Sequence, residues 1–233
     1  MFALITSTLA VILMLISHSA FALPISYTLC KDTERFTCYT VKRSDSWEKL
    51  FSDPRKKDLV KRINRMNIEL DRGMKIAIPK NMNGELDIMD YSPFPKQIAA
   101  LGEKTIFVSI NPAILAWGAY DSGGTLQAWG PVSGGKGWCP DVGRHCNTSL
   151  GKFEVYRKEG RHCVSTKFPV GRGGAPMPYC MFFNGGFALH GSYDVPGYND
   201  SHGCIRLFVP DASWLNKNFV EDADVPVIVS NQI

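Results

Sequence analysis

The first 22 residues contain no charged side chain, and an apolar run from Met1 to Ile16 is followed by Ser-His-Ser and then Ala20-Phe21-Ala22. A short apolar run ending in a small-x-small site predicts an export signal, cleaved after Ala22. The run lacks a preceding Lys or Arg, so an uncleaved N-terminal anchor is the alternative, although a span needs about 20 apolar residues. Beyond it the hydrophobic pattern has two regimes. Between residues 39 and 80, Tyr39-Thr40-Val41-Lys42 predicts a strand, and Ser44-Asp45-Ser46 offers a cap for a helix over Trp47 to Phe51. Leu59, Val60, Ile63 and Met66 recur at helical spacing, and Lys75 to Pro79 alternates like a strand. Residues 81–96, with Asn83-Gly84 and Pro93-Phe94-Pro95, read as a linker.

From residue 97 to 233 the apolar positions form short alternating runs between glycines. Thr105–Ile110, Ile114–Tyr120, Thr125–Trp129, Phe153–Tyr156, Phe187–His190 and Val225–Val229 are predicted strands, and Asp211–Asn218 a short helix. The prediction is a mainly β domain, a sandwich or barrel-like, behind a small βααβ module. The chain has 233 residues, is 45% hydrophobic and 21% charged, and has the balance of a globular protein. A net charge of +4 favours an anionic polymer weakly and does not point to nucleic acid.

The chemistry concentrates in His190-Gly191-Ser192 and Asn199-Asp200-Ser201-His202-Gly203-Cys204-Ile205-Arg206. One thiol, two imidazoles and a guanidinium, with glycine beside His190 and Cys204, supply what thiol acyl transfer needs. These are a nucleophile, a base, approachable backbone N–H donors and a cation for an anionic substrate. A zinc site is a poorer reading of the ligand types at Cys139, His145, Cys146, His162 and Cys163, because six residues separate Cys139 from Cys146 and no C-x₂-C occurs. No metal or cofactor is expected.

The stretch resembles the signature of the L,D-transpeptidase catalytic domain (YkuD-type), a His-Gly followed by Ser-His-Gly-Cys, an apolar residue and Arg or Asn. Thr148-Ser149-Leu150-Gly151-Lys152-Phe153 and Met177-Pro178-Tyr179 resemble two further stretches of that family. The resemblance implies a YkuD-type β-sandwich over residues 97–233 and action on peptidoglycan. It implies Cys204 as nucleophile, His190 as base, and the Gly191 carbonyl orienting that imidazole. Backbone N–H groups at Gly203 and Cys204 would form the oxyanion hole, with His202 shaping the site or moving protons. Arg206 would hold a substrate carboxylate or buttress the loop, while Tyr179, Met177 and Ser201 would line the substrate groove. The implied donor is a stem tetrapeptide that loses terminal D-Ala to leave a thioester. An amine acceptor gives a 3→3 cross-link. Water gives carboxypeptidase activity and a protein amine gives anchoring; a non-catalytic peptidoglycan-binding protein is the rival of another class.

Residues 39–80 resemble a LysM module in Tyr39-Thr40-Val41, Asp45-Ser46-Trp47, Asn64 or Asn67, Gly73 and Ile78-Pro79, which implies glycan contact. The expected location is the periplasm or cell envelope. With Cys204 assigned as the free thiol by the motif, six of the seven cysteines remain and allow fifteen pairings. Pairing sequence neighbours gives 30–38, 139–146 and 163–180.

Overall fold

A computed structural model describes residues 23–232 except 83, 85, 170, 172, 222 and 223. The predicted export signal, residues 1–22, lies outside the described residues. Among the described residues no helix is long and apolar enough to cross a membrane.

The chain enters through a single helical turn, α1 (Ser26–Leu29), followed by β1 (Phe36–Thr40), α2 (Trp47–Leu50), α3 (Pro54–Ile63) and β2 (Lys75–Pro79). Ser46 caps α2 by accepting from Lys49 N–H, and Asp53 caps α3 by accepting from Arg55 N–H. Pro54 therefore opens α3 instead of breaking a helix, since the first helical position has no intrahelical use for an N–H. β1 and β2 pair antiparallel, Cys38 opposite Ala77. Val41, Trp47, Phe51, Val60, Met66 and Ile76 form a small core between the strands and helices. Asn64 is wholly buried and fastens this unit internally: its amide donates to Val60 O and Ala77 O and accepts from Ala77 N–H.

The remaining strands are β3 (Thr105–Ser109), β4 (Ala116–Tyr120), β5 (Leu126–Ser133), β6 (Gly137–Cys139), β7 (Arg144–Cys146), β8 (Gly151–Glu154), β9 (Arg157–Lys158), β10 (Met181–Asn184), β11 (Phe187–Ser192), β12 (Ile205–Phe208) and β13 (Pro226–Ser230), with α4 (Val209–Trp214) between the last two. Among the described residues nine of them form one sheet in the order β8-β13-β3-β4-β5-β12-β11-β10-β9. The expected mainly β domain, sandwich or barrel-like, is thus built on one curled sheet. β5 makes the connection: Leu126 to Pro131 pair with β4, and Val132 and Ser133 pair with β12. Curling brings Phe153 of β8 to 5.4 Å from Phe183 of β10, between ring centroids. The main core lies inside the curl and includes Ile106, Trp117, Met181, Leu189, Ile205, Leu207 and Leu215.

Alternation along β4 explains the fate of residues 81–96. Trp117 and Ala119 face the main core, whereas Ala116 and Tyr120 face outward. Ile88, Met89, Tyr91 and Phe94 cover that outward face. Trp129 Nε1 donates to Ile88 O at 2.8 Å, and Tyr120 Oη donates to Pro95 O at 2.6 Å. The segment read as a linker is a packed strap, because β4 is apolar on both faces and burying each large side chain stabilises the fold by about 1.5–3 kcal/mol.

The N-terminal unit is docked on the curled sheet. Arg62 of α3 makes a bidentate pair with the buried carboxylate of Asp211 of α4, at 2.8 and 2.6 Å. Arg65, also buried, donates to Ile114 O and lies over the Trp129 ring. The six cysteines other than Cys204 pair as 30–38, 139–146 and 163–180, which is the neighbour pairing.

Candidate active site

β11 and β12 run parallel with Leu189 opposite Ile205 and His190 opposite Arg206. Side chains alternate across a strand, so Leu189, Ile205 and Leu207 enter the core while His190 and Arg206 share the other face. Cys204, immediately before β12, continues that alternation. His190, Cys204 and Arg206 accordingly line one cavity of about 430 Å³, together with Met177, Ser201 and His202.

Cys204 is the one free cysteine of the chain. Burial pushes its thiol pKa up, against a backbone hydrogen bond from Ala188 and the charges of Arg206 and Lys167. Its neighbours include Met177 and the Cys163–Cys180 pair, an apolar setting. His190 is buried, and burial pushes its pKa down to about 4, with the Arg206 charge adding to the effect. Its Nδ1 lies 2.9 Å from Gly191 O, so in the neutral ring Nδ1–H donates to that carbonyl and Nε2 is left as a base. Both shifts favour the uncharged forms, an imidazole and a thiol that line the same cavity, with Cys204 Sγ 3.9 Å from Gly186 O. Gly191 has no room for a side chain: an added Cβ would lie 3.1 Å from Pro178 O and from Val209 Cα.

The turn before Cys204 is held from both sides. Ser201 Oγ accepts from Gly203 N–H at 3.0 Å and donates to Cys204 O. Thr148 Oγ1 donates to Gly203 O at 2.9 Å and accepts from Gly135 N–H at 2.8 Å. Gly203 has φ +119°, and a Cβ there would lie 2.2 Å from Phe187 Cε1, so both the backbone and the packing require glycine. Its N–H, expected to face a substrate oxygen, is taken by Ser201 Oγ.

His202 Nε2 lies 2.7 Å from Asp141 Oδ2, and its ring packs on Phe168 at 4.4 Å between centroids. The hydrogen bond from His202 holds the Asp141 carboxyl below its ordinary range. Asp141 sits in the hairpin of β6 and β7, closed by the Cys139–Cys146 disulfide. The sulfurs of Cys139 and Cys146 also approach His202, but each is bonded to the other. Arg206 Nη1 donates to Asp194 O at 3.1 Å and to Asp194 Oδ2 at 2.9 Å, with Asp200 Oδ2 at 3.8 Å.

The family model for the L,D-transpeptidase catalytic domain (YkuD) matches residues 103–229, more than half of the chain. The chain belongs to this L,D-transpeptidase family. An L,D-transpeptidase structure from Xylanimonas cellulosilytica DSM 15894 is 18% identical, covers 82% of this chain and 98% of its own, and superposes with a TM-score of 0.55, which shows a shared fold. An L,D-transpeptidase from Stackebrandtia nassauensis is 26% identical over 60% of each chain, with a TM-score of 0.46. L,D-transpeptidase 3 from Mycobacterium tuberculosis is 18% identical over 69% of this chain and 76% of its own, with a TM-score of 0.44. Among curated proteins no similar sequence is found.

Within this L,D-transpeptidase domain, six of the seven side chains expected to react or bind, those of Cys204, His190, His202, Arg206, Met177 and Ser201, meet at the cavity. Tyr179 does not line it. Its backbone is left-handed (φ 59°), its ring packs against the main core, and Lys217 Nζ lies 5.1 Å from the ring centroid. Ser213 and Lys217 hold the Tyr179 phenol below its ordinary pKa. Thr148 lies in a stretch that resembles the family, whereas Asp141, Phe168 and Asp194 are not legible as site residues. They come from loops with no periodicity, and only Asp141, bracketed by two nearby cysteines, carried a usable sequence signal.

Proposed function

We propose that this protein is an exported cysteine L,D-transpeptidase that acts on peptidoglycan stem tetrapeptides. Cys204 attacks the carbonyl of the third stem residue. Its proton passes to His190 Nε2, which hands it to the departing D-Ala amine. A thioester remains on Cys204. An amine of a neighbouring stem, deprotonated by the again-neutral His190, then attacks the thioester; the thiol is regenerated and a 3→3 cross-link forms. The observation that carries this reading is the single free thiol in one cavity with a neutral imidazole whose Nδ1 is fixed by Gly191 O.

The carbonyl oxygen of the attacked peptide faces the turn that carries Cys204. Because Ser201 Oγ engages Gly203 N–H, that amide stiffens the turn, and we assign the oxyanion contact to the main-chain N–H groups of Cys204 and His202. Arg206, already partnered by Asp194, supports the cavity wall and offers its remaining N–H donors to a donor carboxylate. Residues 1–22 direct the chain to the periplasm or cell envelope. Residues 39–80 act as a LysM-like module that contacts glycan; their antiparallel strand pair and two intervening helices support this reading.

The test is the intact mass of the protein after brief exposure to disaccharide-tetrapeptide. A covalent adduct equal to the donor minus D-Ala is expected on the wild type and absent from Cys204→Ala. An unmodified wild type whose Cys204 still reacts with iodoacetamide would favour the binding-only reading.

A further inference from the structure

The two asparagines at the end of α3 do different things. Asn64 turns inward and fastens its own unit. Asn67 reaches across to the segment between His190 and Cys204. Its Nδ2 donates to Ser192 O at 2.8 Å, and its Oδ1 accepts from Val195 N–H at 2.9 Å. Its own N–H donates to Val195 O at 2.9 Å. The two side-chain bonds bracket Asp194. Asp194 in turn holds Arg206 through both its carboxylate and its carbonyl, and Ser192, Asp194 and Arg206 all face the reaction cavity. The approach is close: Gly197 has φ +88°, and a Cβ there would lie 3.0 Å from Asn64 O. After Ser192 this segment forms no helix or strand; within it Asp194 N–H donates to Ser192 Oγ at 3.0 Å, and the Asn67 side chain supplies the bonds that fix Ser192 O and Val195 N–H from outside.

We propose that Asn67 is a positioning residue for the chemistry at Cys204. Through the main chain of residues 192–195 it fixes where Asp194 holds and neutralises Arg206, which makes the N-terminal unit part of the catalytic apparatus. The inference rests on the reading of Cys204 as the reacting thiol. Without the Asn67 amide, Ser192 O and Val195 N–H lose their side-chain partner and Asp194 is held less firmly, so Arg206 keeps its charge while losing its aim. A small anion senses the charge. A tetrapeptide donor senses the aim.

The experiment compares alkylation of Cys204 by neutral iodoacetamide and by anionic iodoacetate, in the full chain and in Asn67→Ala and Asn67→Asp. The Ala variant is expected to keep the iodoacetamide rate within twofold and to raise the iodoacetate-to-iodoacetamide ratio at least threefold. The Asp variant, which replaces the Nδ2 donor by an oxygen facing Ser192 O, is expected to shift the ratio in the same direction. With tetrapeptide donor, KM should rise about tenfold in Asn67→Ala with kcat within threefold. An unchanged ratio in both variants overturns the proposal whatever the donor kinetics show, and loss of folding in both overturns it by making Asn67 a structural residue. Absence of donor turnover by the wild type, with the ratio shifted as stated, removes the transpeptidase reading and leaves the positioning role of Asn67 standing.

Discussion

A neutral thiol–imidazole site makes a pH prediction that an ion-pair site does not. Burial lowers the His190 pKa from 6.5 to about 4 and raises that of Cys204. At 1.36 kcal/mol per unit, the shift on His190 amounts to about 3 kcal/mol against charging the ring. At pH 7 only about one molecule in a thousand then carries imidazolium. The perturbation is pH, and the assay is the rate of Cys204 alkylation by iodoacetamide from pH 5 to 10. Because only thiolate reacts, the rate should climb roughly 100-fold between pH 6 and 8, with its inflection above the ordinary thiol value of about 8.5. A rate that varies less than threefold from pH 5 to 8 would show a thiolate–imidazolium pair and refute the assignment of charge. The same shift has a stability consequence. A histidine whose folded pKa is depressed contributes stability that is present above pH 6.5 and lost as pH falls through about 4. Urea unfolding at pH 7 and pH 4 should therefore show about 3 kcal/mol less pH dependence in His190→Gln than in the wild type.

Three further outcomes are expected. Arg62→Met strands the buried Asp211 carboxylate and should cost about 3–5 kcal/mol by urea unfolding, while Arg62→Met with Asp211→Leu should recover most of it. In the single variant burial, with the Asp58 charge, raises the Asp211 pKa against only a Trp117 hydrogen bond, so its residual stability should fall as pH rises above about 4. Gly203→Ala forces a Cβ into Phe187 at φ +119°; about 1–3 kcal/mol of strain is expected, with a roughly 100-fold loss of turnover from displacement of the Cys204 turn. Thiol titration of the unfolded, unreduced protein should find one thiol, and reduction should lower the unfolding midpoint, each bridge being worth about 2–4 kcal/mol.

The reacting face was legible because it lies on regular strands. Alternation around His190 and Cys204 through Arg206, with core residues between, is a period-two pattern that both the motif and the register obey. The disulfides were legible because each closes a short loop, with 17 residues the widest separation. The packing of residues 81–96 is not legible because it depends on the outward face of β4, and a sequence window cannot show that Tyr120 and Ala116 need cover. The choice between sandwich and barrel-like closure is hidden for a similar reason. β5 reads as one strand, and its change of partner at Val132 is a matter of register, not of composition. Tyr179, a motif neighbour of Met177, has a left-handed backbone and packs against the main core, which its place in the motif does not report. Asp194 and Asn67 act through main-chain hydrogen bonds between segments 128 residues apart for Asn67 and Val195, and no local pattern reports such a contact.

In the proposed reaction the Cys204 thiol, served by His190, exchanges the terminal D-Ala of a stem tetrapeptide for an amine. The most direct test is mass spectrometry of the products formed from disaccharide-tetrapeptide by the protein lacking residues 1–22, with Cys204→Ala as control. Release of D-Ala together with a cross-linked dimer, both abolished in Cys204→Ala, is the predicted result. An unchanged substrate with a demonstrably alkylatable Cys204, or equal product from Cys204→Ala, would contradict it.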